Sequence, residues 1–545
     1  MLRHTLIVLA LLIPYAWGQA TITGTSTIQG VLTITSGESG VVIAPTFFAY
    51  NIHCPKNTGS GCPSAGWPSH PVGAIRTWDM VIPAVNWGTL EPANGTFNFS
   101  SLDTLIAIAD AGNADIVFTF GLVPRWAATN PTQDCTPHPA GSCTPPSDLA
   151  SDGTGTDNSV KSFVDALTAH LAIADPNHRF RYFELWNEPQ FPNNFTGTNA
   201  QMARITKDVH DRIRASSRPD IQIASPAPSA GPQSIANYFD GYLSDPSNPY
   251  QYLDAIDFHT YQYFSNRPPL ASDTAKVVNA VNAELVKLGF APTAKPQFAT
   301  EGSWGVDSVT KFTNQGTVDD TTPNHMGYAA QLEITHACLG LSRFYWYAWD
   351  NNGGQGQITA GAVENSGIAN GEVYNWLVGA RIAGPCVTDA NGTTTLSLSR
   401  PGGYSAEIIW NATASTPVVP AAQFTRFRDL AANVLAVDPG KFRANYNPVI
   451  LESGPPPGVS ISTGSLPVGR VGAAYSQKLA SAGASEAVWD VRSGSSTLPG
   501  GLTLASNGIL SGSPTAAGTY DFIVGVLDQA NGTAVSKSFS VTINP

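Results

Sequence analysis

The stretch Phe180 to Pro189, FRYFELWNEP, constrains this chain more than any other, because an apolar, aromatic run of strand length stops abruptly at Asn-Glu-Pro. A parallel strand covered on both faces needs such a run, and Pro189 cannot donate to a ladder, so Asn187 and Glu188 fall where pairing ends. Glu188 is then a carboxyl at a strand tip, half shielded by Phe183 and Trp186. A lone glutamate there could simply cap the next helix. A second stretch, Lys295 to Gly305 (KPQFATEGSWG), is also a short strand ending in a carboxylate, Glu301. Two glutamates at two strand tips form a candidate pair.

The surrounding pattern says what kind of sheet holds them. Short apolar runs recur at Pro45–Asn51, Gly73–Thr77, Asp115–Phe120, Arg181–Trp186, Ile221–Ser225, Ala255–His259, Gln297–Thr300 and Phe344–Ala348. Helical periodicity lies between them at Ser101–Ala111, Ser159–Ile173, Asn199–Ala215, Thr274–Leu288 and His325–Leu339, and a last helix is expected over Gly367–Ile382. Met202, Ile205, Val209 and Ile213 predict one buried stripe on the third of these helices. Strands alternating with helices make this an α/β chain, and their number suits a (β/α)8 TIM barrel. A doubly wound open sheet is disfavoured, since no Gly-rich phosphate loop follows the first strand.

The barrel, residues 43–385, is flanked by all-β segments. Thr21 to Val42 alternates Thr, Ile and Val, and predicts strands that join a small β-sandwich over 386–453, where Thr394–Ser399, Ser405–Asn411, Phe424–Asp429, Asn433–Val437 and Pro448–Leu451 have no helices between them. The run GPPPG, residues 454–458, reads as a stiff linker. Residues 459–545 follow as short strands and Gly/Pro turns around one core aromatic, Trp489, which predicts an Ig-like domain without cysteine.

Residues 1–20 read as an export signal, with Arg3 and His4 before the apolar run Leu6–Ile13 and small residues at Ala16, Gly18 and Ala20. That run is too short to span a bilayer, and no later apolar stretch reaches spanning length. The expected location is extracellular or periplasmic, where cysteines pair. The six cysteines suggest two tight staples, Cys54–Cys62 and Cys135–Cys143, leaving Cys338–Cys386, although other connectivities stay open. No CxxC or histidine spacing supports a metal site. A net charge of −12 offers no surface suited to phosphate backbones, so nucleic acid is not an expected partner and neutral ligands fit better. No cofactor is expected.

Four strand-tip motifs in order, WNEP, DFHTY (Asp257–Tyr261), ATEG and WYAWDN (Trp346–Asn351), resemble those of retaining glycoside hydrolases of clan A, most nearly family 39, with families 5 and 30 as alternatives. The resemblance covers roughly residues 43–452. The tail resembles the Ig domains of bacterial surface and secreted proteins through Leu466-Pro467-Val468-Gly469, Leu498-Pro499-Gly500-Gly501-Leu502 and GILSGSPTAAGTYDF (Gly508–Phe522). The first implies a secreted O-glycosyl hydrolase acting by double displacement on a poly- or oligosaccharide, with Glu188 as acid/base and Glu301 as nucleophile. It further implies Asn187 on the sugar 2-hydroxyl, Tyr261 holding the nucleophile, His259 in the site or as a core residue, and Trp349 as the floor of the sugar subsite. Chemistry adds a cation beside the nucleophile, for which Arg76 at the second-strand tip is the candidate, a surface salt bridge being its other reading. Trp78, Trp87, Trp126 and Trp304 receive no role. FFAYNIHC (Phe47–Cys54) and GLVPRW (Gly121–Trp126) match no substrate-diagnostic pattern, so the sugar stays open. The rival from another class is a non-catalytic carbohydrate-binding or adhesive surface protein on a barrel scaffold, which the Ig-like tail would suit.

Overall fold

The computed structural model describes residues 25–27, 41–56, 62, 66–68, 70–261, 270–303, 305–306, 312–313, 325–350, 356–359, 362–400, 404–453, 459–484, 487–491, 498–528 and 534–545. The expected export signal, the GPPPG linker and Trp304 lie outside these residues. Among them no helix is long and apolar enough to cross a membrane.

Eight parallel strands form the central sheet: β1 Phe48–Asn51, β2 Ala74–Arg76, β3 Asp115–Thr119, β4 Phe180–Glu184, β5 Gln222–Ala224, β6 Ile256–Asp257, β7 Gln297–Gly302 and β8 Arg343–Trp346. Their order is β5-β4-β3-β2-β1-β8-β7-β6, and a parallel bridge between Ala224 and Ala255 brings the two ends together into a nearly closed barrel. The two faces of each strand meet different surroundings, as the pleat requires. In β4 Tyr182 points inward, 4.8 Å from the Phe298 ring, while Phe183 points outward to Phe118 and Phe120.

The longer helices are α1 Ser100–Gly112, α2 Asn158–Ala174, α3 Asn199–Ala215, α4 Pro232–Leu243, α5 Ala271–Lys287, α6 His325–Cys338 and α7 Asn365–Leu377. In α3 the stripe Met202, Ile205, Val209 and Ile213 is buried, each side chain worth about 1.5–3 kcal/mol as an upper bound. The helix α4 has no counterpart among the expected helices, and Pro232 opens it at the first helical position, where a missing N–H costs nothing. The last helix, expected over Gly367–Ile382, begins and ends earlier. The helix α7 ends at Leu377 and Gly379 takes φ 75°, which turns the chain into a strand at Arg381–Ile382.

That strand belongs to the accessory sheet, which therefore begins before residue 386. Arg381–Ile382 pairs with Val41–Val42 on one side and with Leu398–Ser399 on the other, and Thr25–Thr27 pairs with Val387–Asp389. The N-terminal strands thus join the sheet that follows the barrel. Its face bearing Leu396, Leu398, Ala406, Ile408 and Ile450 continues the barrel's outer core, and the opposite face buries Ile409 and Leu451 with Phe424 and Phe442. Beyond it, Gly469–Arg470, Ala534–Asn544, Gly518–Asp528 and Ala487–Val491 form one sheet, and Tyr475–Lys478, Ile509–Gly512 and Leu502–Leu504 another. Trp489 packs between them with Phe522, Val524, Val526 and Phe539. Tyr475–Lys478 lies against α1. The disulfides are Cys54–Cys62, Cys135–Cys143 and Cys338–Cys386.

Candidate active site

The C-terminal ends of the barrel strands carry a connected set of polar side chains. From β2 comes Arg76, fully buried rather than on the surface. Its Nε and Nη2 donate to Glu184 Oε2 and Oε1 at 2.6 and 2.5 Å, Nη2 also donates to Asn187 Oδ1 at 2.7 Å, and Nη1 donates to Glu301 Oε1 at 2.5 Å. The Tyr261 hydroxyl donates to the other oxygen of Glu301 at 2.8 Å. His259 Nδ1 lies 2.9 Å from Glu188 Oε1 and 3.5 Å from Glu301 Oε2. One oxygen of Glu188, one of Glu301 and one nitrogen of His259 fall within 4.8 Å of one another.

The tip of β4 is built to hold Glu188 in one place. Its backbone adopts φ 41°, a left-handed conformation that costs a non-glycine residue roughly 1–3 kcal/mol and persists only when its surroundings fix it. They do: Glu188 N–H donates to Ala227 O at 2.9 Å, and its carbonyl accepts from Phe191 N at 3.1 Å and Asn194 Nδ2 at 3.3 Å. The Trp186 indole faces the outer sleeve, 4.8 Å from Phe195, with Nε1 donating to Asn194 O at 2.9 Å. The Phe183 ring joins the same sleeve. The expected aromatic shield over Glu188 is therefore a brace behind it. At β7, Glu301 O accepts from Thr260 N at 2.9 Å, which ties its strand to the β6 tip.

Burial raises the Glu188 carboxyl above its ordinary range, against the pull of the Ser229 hydroxyl and the Arg76 charge. Burial raises Glu301 as well, opposed by His259 and Arg76 and reinforced by Glu188 and Asp79. His259, fully enclosed, is pushed down to about 4 by burial, so its imidazole is neutral at ordinary pH, and its Nε2 is buried without a protein hydrogen-bond partner.

Glu188, His259 and Glu301 could offer one atom each to a metal ion. The arrangement argues against that use, because both oxygens of Glu301 are already engaged and the Arg76 guanidinium at 2.5 Å would repel a cation.

Of the residues singled out in the sequence, Glu188, Glu301, Arg76, Asn187, His259 and Tyr261 come together here. Trp349 stands apart: it is fully buried, its rings 5.9 Å from Tyr50 and 5.3 Å from His70, with Nε1 donating to Gly66 O at 3.1 Å. Tyr347 is an aromatic beside the cluster, its ring 6.3 Å from Tyr261 and its hydroxyl donating to the exposed Asp79 at 2.9 Å. Burial pushes the Tyr347 phenol up, and the Asp79 and Glu301 charges push it further. His53 edges onto Tyr347 at 5.6 Å and sits 3.3 Å from Asp350. Burial lowers its pKa, but the Asp350, Asp79 and Glu301 carboxylates outweigh that and the net shift is upward. Glu184 was also missed. An acidic residue on the inward face of a barrel strand, two positions after Tyr182, requires a buried partner, and that was its available signal. Of the unassigned tryptophans, Trp87 is core, stacked 4.9 Å from Phe120, and Trp126 donates to Glu91 O at 3.0 Å.

No curated protein matches the chain in sequence. Residues 457–544 match the family model He_PIG, a putative Ig domain. Among solved structures, the chain is similar to a family 39 glycoside hydrolase from the gut symbiont Bacteroides cellulosilyticus WH2, at 16% identity and a TM-score of 0.52 over 76% of this chain and 81% of that one. It is also similar to a GH30 endoxylanase from Clostridium papyrosolvens C71, at 14% identity and a TM-score of 0.50 over 77% of this chain and 98% of that one. At these identities the likeness is one of fold, and the fold is the barrel of families 39 and 30.

Proposed function

We propose that this chain, a barrel of the clan A type with an Ig-like domain at its C-terminus, is a secreted retaining glycoside hydrolase that cleaves O-glycosidic bonds, β-linked ones by preference, in a poly- or oligosaccharide. The observation that carries the reading is the approach of two strand-tip carboxylates, with oxygens of Glu188 and Glu301 within 4.8 Å. Double displacement needs carboxyl groups about 5–5.5 Å apart, whereas inversion needs about 6.5–9.5 Å to admit a water between them.

The two environments divide the roles. Glu301 receives the Arg76 guanidinium and the Tyr261 hydroxyl, both of which favour its anion, so it is the nucleophile. Glu188 is raised by burial and, among the described residues, no lysine or arginine contacts it, so it is given the role of acid/base. In the first step Glu301 attacks the anomeric carbon as the bond to the aglycone breaks, and the leaving oxygen takes the Glu188 proton. In the second, the Glu188 carboxylate takes a proton from water, whose oxygen displaces Glu301 from the same carbon. Asn187 accepts from Arg76 through its carbonyl oxygen, and its amide N–H groups are assigned to the sugar 2-hydroxyl. Secretion rests on residues 1–20 together with the paired cysteines and the Ig-like domain.

The test is a panel of 2,4-dinitrophenyl glycosides and of plant and microbial polysaccharides, with the anomer of the first-formed product read by NMR. The proposal expects turnover with retention. Binding to polysaccharide with no turnover would instead support the adhesive alternative.

A further inference from the structure

Glu184 is the last residue of β4, four positions before Glu188, and nothing in the double displacement calls for it. It is nevertheless fully buried, as is Arg76. The pair is side-on: Nε and Nη2, one edge of the planar guanidinium, meet the two oxygens of Glu184 at 2.6 and 2.5 Å. Because the fork is rigid, fixing that edge fixes the direction of the remaining nitrogen, Nη1, which reaches Glu301 Oε1 at 2.5 Å. Glu184 is itself held. Thr119 Oγ1 donates to its Oε2 at 3.0 Å, and Thr119 is its register partner across the β3–β4 ladder. We infer that Glu184 is a positioning residue for the nucleophile, clamping Arg76 so that the guanidinium orients Glu301 toward the anomeric carbon.

The charge balance of the barrel interior agrees with this. Asp257 at β6 is a further buried carboxyl nearby, and burial, then the neighbouring Glu184 charge, hold it well above the ordinary carboxylate range. Its Oδ1 accepts from Thr300 Oγ1 at 2.8 Å. Glu184 thus shares Arg76 with Glu301, which does not face that guanidinium alone.

The inference rests on Glu301 being the nucleophile, and the experiment separates the two claims. Wild type, Glu184→Gln and Thr119→Val are compared on the 2,4-dinitrophenyl β-glycoside that wild type turns over fastest, with and without azide, alongside thermal unfolding. Glutamine keeps the shape but turns one N–H2 against a guanidinium N–H. The expected result is a kcat about 100-fold lower in Glu184→Gln and about 3- to 10-fold lower in Thr119→Val, with KM within about 3-fold and no recovery by azide. Thr119→Val keeps every charge in place, so it decides the matter if Glu184→Gln does not fold. Unchanged kcat in Thr119→Val, a loss confined to KM, or a loss confined to the melting temperature would overturn the positioning role while leaving the hydrolase reading intact. If the wild type turns over no glycoside, the reading of the site fails and this inference fails with it.

Discussion

His259 Nδ1 lies 2.9 Å from Glu188 Oε1 and 3.5 Å from Glu301 Oε2, so one neutral imidazole borders both carboxylates. It sits at the tip of β6, fixed by its own N–H donating to Pro228 O at 2.9 Å. The two carboxyls cannot be perturbed independently, and that coupling shapes what substitution should do.

Asp79 is the clearest lever on pH. Its negative charge is among the causes that raise both Glu188 and Glu301. Asp79→Asn removes that charge and lowers both carboxyls. The acidic limb of kcat/KM, where Glu301 gains a proton, and the basic limb, where Glu188 loses one, should both move to lower pH. A profile unchanged in position, or one that moves upward, contradicts this electrostatic account.

Tyr261→Phe deletes the hydroxyl that donates to Glu301 at 2.8 Å. A hydrogen bond to a charged group is worth about 1.5–3 kcal/mol, so kcat should fall by roughly 10- to 100-fold. Azide should not restore it, because the acid/base residue is intact. Steady-state kinetics with added azide check both statements.

The chain was legible where the pleat and the chemistry coincide. Glu188 and Glu301 stood out because apolar runs break at Asn-Glu-Pro and at Glu-Gly, and each of the eight barrel strands overlaps an expected run, with Phe180–Glu184, Gln297–Gly302 and Arg343–Trp346 reaching one or two residues beyond it. Trp349 was assigned to the sugar subsite and Tyr347 overlooked because β8 ends at Trp346. Past that residue the two-residue alternation no longer says which aromatic faces the mouth. Glu184 was passed over for a different reason: its need for a partner is visible locally, but the partner, Arg76, is 108 residues away. Boundaries set by a single backbone conformation, such as the end of α7 at Gly379, leave only a weak trace in composition.

Stability should depend on a second buried carboxyl remote from this chemistry. Asp157 is fully buried, and burial together with the nearby Asp208 pushes it up to about 8. Its folded pKa exceeds the unfolded value, so its contribution is fully present below about pH 4 and is lost as pH rises toward 8. Asp157→Asn removes the titration and suits the residue's φ of 48°. The melting temperature should rise at pH 8, by roughly 2–4 °C for each kcal/mol recovered, and change little at pH 4. Equal shifts at both pH values would contradict the assignment.

The residues joined in the site all belong to the barrel, so a chain ending at Ser453 should keep its turnover of a small soluble glycoside. Loss of the Tyr475–Lys478 strand uncovers part of α1, so some lowering of the melting temperature is expected. Abolished turnover in a folded truncation would show that the Ig-like domain takes part in the chemistry.

The central claim is the division of labour between Glu188 and Glu301, and the most direct measurement is the azide response of their alanine variants on a 2,4-dinitrophenyl β-glycoside. That aglycone leaves without protonation, so Glu188→Ala should still form the glycosyl-enzyme. Added azide should then accelerate turnover and yield the β-glycosyl azide. Glu301→Ala should lose activity by several orders of magnitude and gain no β-glycosyl azide. Identical responses of the two variants, or a wild-type product of inverted anomeric configuration, would contradict the account.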